Sequence, residues 1–215
     1  MNIFVVGANG QIGQHVIEKL AGEGNSVFAG VRDVATQSRV KSENVSYVSF
    51  DLTNTVEELA KTFKKAQTDI LIFAAGSQGK SLLQVDLDGA IKTMIAAEQA
   101  NVARYFMVSA VFADTREKWP ASMTDYYISK HYADEWLMNR TPLDYVIVQP
   151  VTLTNDAATK VKLVKPSEEF TPKVSREMIA DVLVSLIEHP EITKTTLVVS
   201  DGEDTVEDAL ADWKN

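Results

Sequence analysis

Tyr126-Tyr127-Ile128-Ser129-Lys130 places a phenol and an ammonium four residues apart. On a helix that spacing puts both groups on one face. The ammonium then lowers the pKa of the phenol and can hold a ribose hydroxyl, so Tyr126 can exchange a proton with a carbonyl or an alcohol. Such pairs also arise by chance, and this one gains its meaning from position: the helix follows the fifth apolar strand and precedes the sixth.

A second constellation lies at the start of the chain. Gly7-Ala8-Asn9-Gly10-Gln11-Ile12-Gly13 joins an apolar run, 2–6, to an amphipathic stretch, 11–23. A dinucleotide diphosphate needs a tight turn, bare backbone beneath it, and a helix packed close to the strand. Gly7, Gly10 and Gly13 fill those roles, with Asn9, Gln11 and Ile12 completing the loop and the helix start supplying amide donors. The spacing is G-x-x-G-x-x-G rather than the G-x-G-x-x-G fingerprint, so an ordinary strand-to-helix turn is the alternative. The surrounding strand and helix are the context that binding requires.

The end of the second strand bears on which dinucleotide. An NAD site commonly places a carboxylate there to hold the ribose hydroxyls. Here Gly30-Val31-Arg32-Asp33 puts an apolar residue in that place and a guanidinium directly after it. Arg32 suits a 2′-phosphate and the adenine ring, which favours NADP(H) over NAD(H). A solvated surface arginine is the alternative, Asp33 keeps NAD open, and Arg39 is a second candidate phosphate contact. Asp51-Leu52 and Ala74-Ala75-Gly76 follow the third and fourth strands, where ligands gather in parallel sheets. The first pair would meet the adenine edge. The second group would admit the ribose and nicotinamide, unless either is simply a turn or a helix cap.

The elements that must position these groups alternate. Apolar runs at 2–6, 26–31, 45–50, 69–74, 105–109 and 145–149 read as strands, and 11–23, 56–65, 85–100 and 125–138 as helices. Ile12, Val16, Ile17 and Leu20 make one helical face, and Leu87, Ile91, Met94 and Ile95 another. This order predicts an α/β fold, a Rossmann-like doubly wound parallel sheet with helices on both faces. Residues 1–150 form its cofactor-binding core. Residues 151–215 read as a small substrate-side appendage of the same single domain. It holds a loop, a short strand at 161–164, a helix capped by Ser175, a strand at 195–199 and a short helix at 206–210.

Composition narrows the classes. The chain has 215 residues, of which 45% are hydrophobic and 24% charged, enough apolar matter for a full core. It has no cysteine, which excludes disulfides, thiolate metal sites and cysteine nucleophiles. A formal charge of −9 argues against nucleic acid or an anionic membrane as partner. His15, His131 and His189 are scattered, so no metal site is expected. The N-terminus runs straight into a strand with no signal pattern, so a cytoplasmic location is expected. Phe112, Trp119 and Met123 flank the expected entrance and are candidates for an apolar substrate pocket. The pattern leaves monomer and homodimer both open.

Taken with Val108-Ser109-Ala110, Gln149-Pro150-Val151 and the late helix from Val174, these motifs resemble the atypical, extended-type short-chain dehydrogenase/reductases. The likeness is to the compact NAD(P)H-binding group related to NAD-dependent epimerase/dehydratases, and it spans nearly the whole chain. The resemblance implies that Tyr126 is the acid/base, Lys130 its partner and Ser109 the group that orients the carbonyl. Pro150 and Val151 would border the nicotinamide. The expected activity is NADP(H)-dependent reduction of a small carbonyl compound, or oxidation of the alcohol. Two alternatives stand beside it: a nucleotide-sugar epimerase or dehydratase that recycles its cofactor, and an NADPH-sensing protein without turnover.

Overall fold

β1 (Asn2–Val6) dictates the layering. Ile3 and Val5 enter one apolar layer, Phe4 and Val6 the other, and all four are buried. A strand apolar on both faces needs helices on both sides. The computed structural model describes residues 1–214 and supplies them.

The main sheet runs β3 (Val45–Ser49), β2 (Ser26–Val31), β1, β4 (Ile70–Phe73), β5 (Arg104–Val108), β6 (Asp144–Pro150), β10 (Thr195–Asp201), β8 (Val161–Val164). Only β8, against β10, is antiparallel. Chain order reverses direction at β1, which lies between β2 and β4, and such a switch point opens a crevice at the carboxyl ends of the strands. The Rossmann-like expectation therefore holds.

One face is covered by α1 (Gln11–Gly22) and α6 (Arg176–Ser185), whose Val16, Ile17, Leu20, Ile179 and Leu183 share the layer of Ile3. The other carries α3 (Val56–Lys65), α4 (Asp88–Gln99) and α5 (Thr124–Arg140). There Phe4, Phe50 and Phe63 meet with ring centroids 5.0–5.3 Å apart. The helix starts are written locally. Thr55 and Glu58 close a capping box on α3, and Ser175 accepts the Met178 amide at 3.0 Å to start α6, as expected from its type.

Several elements depart from the sequence reading. A four-residue α2 (Val34–Gln37) follows β2, and β7 (Thr152–Thr154) pairs with β9 (Lys173–Ser175) in a separate small sheet. β10 and β8 extend the main sheet, so the C-terminal third contributes to it directly. The helix expected at 85–100 begins instead with a π-helical turn, Leu82–Leu87, before α4. That extra residue per turn rotates the face that follows. Met94 is buried as expected, but its companions are Ala90, Thr93 and Ala97, while Leu87, Ile91 and Ile95 are half-buried. Small residues let α4 approach its neighbours closely. Among the described residues no helix is long and apolar enough to cross a membrane.

Candidate cofactor and active site

The glycine loop is built by steric necessity. Gly7 has φ +84°, and a Cβ there would lie 2.6 Å from Ala75 Cα. A Cβ on Gly13 would lie 2.4 Å from the Gly7 carbonyl oxygen. No side chain fits at either distance, so these glycines set how closely β1, β4 and α1 approach. Gly10 precedes α1 without a side-chain cap, and the first turn of α1 has no acidic residue. The leading amides thus lack a side-chain acceptor, the condition in which a helix start receives phosphate. Beside them Asn9 Oδ1 is buried with no hydrogen-bond partner among the described residues. Gln11 is exposed and Ile12 half-buried. An uncapped helix start with an orphaned acceptor next to it fits a dinucleotide.

At the end of β2, Val31 is buried and Arg32 is exposed. Asp33 turns away to cap α2, accepting from the Ala35 amide at 3.0 Å and the Thr36 hydroxyl at 2.7 Å. Those bonds, the Thr36 hydroxyl foremost, hold its carboxyl below the usual range. Asp51 likewise accepts from both the amide and the hydroxyl of Thr53 at 2.8 Å, which lowers its pKa, with a smaller pull from Arg32. Leu52 is buried and faces Gly89, where a Cβ would meet the Leu52 side chain at 3.1 Å. Arg39 is exposed, its backbone amide donating to the Tyr47 hydroxyl.

Beyond β4, Ala74 and Ala75 are half-buried and Gly76 is exposed. Pro150 ends β6, its carbonyl accepting the Val111 amide at 3.0 Å, and Val151 is buried beside it.

α5 carries the remaining candidates. Lys130 is buried, and its Nζ donates to the Val108 carbonyl at 3.1 Å, at the carboxyl end of β5. The same nitrogen lies 5.9 Å from the Tyr126 ring centroid. Among the described residues no carboxylate comes within 4.0 Å of it. Burial lowers the Lys130 pKa, opposed by the charges of Asp86 and Asp134.

Tyr126 differs from expectation. Its phenol is pushed up to about 12, first by burial and then by Asp86 and Asp134, and Lys130 does not lower it. Burial disfavours the phenolate most, and the two carboxylate charges add to that. Ser109 is buried, and its hydroxyl donates to Asp134 Oδ2 at 2.6 Å.

Sequence reasoning missed both carboxylates. Asp134 stands four residues after Lys130 and eight after Tyr126, so the helical ladder was there to find. Asp86 sits inside the π-helical turn and accepts the Ser77 amide at 3.0 Å. No residue pattern announces that turn.

At the entrance, Phe112 holds φ +66° and its carbonyl accepts the Trp119 indole at 2.7 Å. Phe112 packs on Phe170 and Trp119 stacks on Tyr127. Met123 is exposed. A cleft of about 410 Å³ opens between the starts of α1 and α6, lined by Gln11, His15, Asn155 and Arg176, and Tyr126 does not border it. A cavity of about 100 Å³ behind α5 is lined by Asp114, His131, Asp134, Glu135 and Gln149.

Comparison with known proteins agrees with this arrangement. The model of a family described as NAD(P)H-binding matches residues 7–190. A Bacillus subtilis protein described as an uncharacterised sugar epimerase, YhfK, is 32% identical over 216 residues, covering 98% of this chain and 99% of its own. The structure of the oxidoreductase ylbE from Lactococcus lactis superposes with a TM-score of 0.90 at 35% identity, covering 98% of this chain and 95% of the other. A putative NAD-dependent epimerase/dehydratase from Bacillus halodurans gives 0.88 at 29% identity, covering 99% and 100%.

Proposed function

The chain belongs to the NAD(P)H-binding family, and on that premise we propose that it is an NADP(H)-dependent oxidoreductase that reduces a small carbonyl compound or oxidises the alcohol. The observation that carries this reading is Lys130, a buried ammonium with one hydrogen bond among the described residues, to Val108, beside the Tyr126 ring at the carboxyl edge of the sheet. An ammonium has three donors, so two remain for ribose hydroxyls or the phenol oxygen.

In this reading Gly7, Asn9, Gly10, Gln11, Ile12 and Gly13 hold the diphosphate. Arg32 pairs with the 2′-phosphate, a role helped by Asp33, whose carboxylate is already engaged in capping α2. Asp51 and Leu52 border the adenine, Ala74, Ala75 and Gly76 admit the ribose and nicotinamide, and Pro150 and Val151 close the nicotinamide side. The bound cofactor supplies or accepts the hydride. Tyr126 exchanges the proton with the substrate oxygen, Lys130 holds the ribose beside it, and Ser109 orients the carbonyl.

Calorimetric titration with NADPH and NADH, repeated on Arg32→Ala, tests the cofactor. A preference for NADPH that vanishes in the variant supports the reading, and no binding of either at millimolar concentration ends it. Tyr126→Phe then tests the chemistry: turnover falls by about a thousandfold while cofactor affinity stays. Turnover that survives removes the role given to Tyr126.

The names of two relatives, a sugar epimerase and an epimerase/dehydratase, favour a second reading, for which we propose a nucleotide sugar as substrate. It predicts cofactor that co-purifies with the protein and turnover with no net change in reduced-nicotinamide absorbance.

A further inference from the structure

Ser109 has one hydroxyl hydrogen, and it is directed at a carboxylate: Oγ donates to Asp134 Oδ2 at 2.6 Å, with both residues buried. A hydroxyl so engaged has no hydrogen left for a substrate carbonyl. Gln149 is the second side chain engaged with the Asp134 carboxylate; its own Oε1 is buried without a hydrogen-bond partner among the described residues, and both residues line the cavity behind α5. Asp134 therefore stands between the candidate site and a second space in the protein.

We propose that Asp134 is a positioning residue that sets the direction of the Ser109 hydroxyl. Ionised, it holds the hydrogen away from the cleft. Protonated on Oδ2, it donates to Ser109 Oγ, and the hydroxyl hydrogen becomes available to the carbonyl oxygen. Asp134 acts only through Ser109, no covalent bond to carbon changes, and one proton is exchanged with solvent by way of the cavity. The proposal rests on the oxidoreductase reading, which gives Ser109 the carbonyl.

The groups facing Asp134 decide where this happens. Burial raises its pKa most, and the charge of Asp114, in the loop after β5, adds to the rise. Ser109 at the end of β5, Lys130 on α5 and Gln149 on β6 oppose it, and the balance is about 7. His131 and Glu135 of α5 line the same cavity.

Carbon-13 NMR of aspartate-labelled apo protein reads the switch without turnover. One carboxyl resonance should titrate near neutrality, be missing from Asp134→Asn, and move to higher pH in Ser109→Ala, which removes the donor that favours the charge. If no aspartate titrates above about pH 6, or if Ser109→Ala leaves that titration in place, the proposal is overturned. With an accepted carbonyl substrate, kcat should fall about tenfold as pH rises across neutrality, and the fall should disappear in Asp134→Asn. A fall that persists in that variant overturns it as well, even with the NMR result in hand. Should NADPH bind and no carbonyl in a broad panel be reduced, the oxidoreductase reading fails, while a titration that responds to Ser109→Ala still upholds the Asp134–Ser109 coupling.

Discussion

β5 has a buried cation at each end, and the fold treats them oppositely. At its start, Arg104 donates to the carbonyls of Leu186, Ile192 and His189, pairs with Asp144 at 3.3 Å, and lies over the Phe106 ring. Asp144 is in turn held by the Thr193 hydroxyl. At its end, Lys130 has the single bond to Val108 and two carboxylates nearby that never close on it. The amino edge of the sheet is sealed by a guanidinium engaged with three carbonyls and a carboxylate. The carboxyl edge keeps donors and acceptors in reserve, which costs stability and leaves capacity for a ligand.

Replacing each cation by methionine should separate these roles. Lys130→Met is expected to lower turnover roughly a thousandfold, about 4 kcal/mol in the barrier, while its thermal midpoint equals or exceeds that of the parent. A marked loss of stability would make Lys130 a structural residue like Arg104. Arg104→Met should do the reverse: about 3 kcal/mol of stability is lost because Asp144 and three carbonyls are stranded, and NADPH affinity is unchanged where the variant is folded. Calorimetry and denaturant titration read both.

Asp134 adds a pH dimension to the contrast. Its folded pKa is raised above the ordinary aspartate value, so between that value and about 7 the folded state binds a proton that the unfolded chain does not. Stability contributed by this group is present at low pH and lost as pH rises through that window. Asp134→Asn should therefore gain on the parent by about 2 kcal/mol between about pH 5 and pH 8. A gap that stays constant across that range would show that the carboxyl is ionised throughout.

Smaller effects belong to the adenosine end. Arg32→Ala should weaken NADPH roughly thirtyfold, about 2 kcal/mol, and NADH hardly at all. Asp33→Ala should lower the thermal midpoint slightly by uncapping α2, with NADH affinity within about twofold of the parent. A large loss of NADH affinity there would mean that Asp33 leaves its cap to bind ribose.

The two ends of β5 also differ in how far the sequence disclosed them. Requirements on the backbone leave residue types behind: Gly7 and Gly13 are legible because nothing larger fits, and Ser175 because a helix start wants its hydroxyl. The unbroken apolar run of β1 announced a buried strand. Buried charge leaves no such trace. Arg104 and Asp134 look like any solvated residues of a strand start and a helix, since their burial depends on segments 25 to 88 residues away in sequence. Asp86 was hidden further, by a π-helical turn that shifts the register on which helical stripes are read. The face of α4 was misread for the same reason.

The place of β1 in the middle of the sheet bears on how the molecule is made. β1 is made before either of the strands that finally flank it, β2 on one edge and β4 on the other. β2 and β3 can join one edge at once, but β4 follows β1 by roughly sixty residues, several seconds of synthesis at ~5–20 residues per second. During that interval Phe4 and Val6 lie on a strand whose other edge is unpaired and whose covering helices α4 and α5 do not yet exist. A nascent chain halted there is a three-stranded fragment with an adhesive inner edge, and holding it apart from its copies is work for the translation machinery and its chaperones.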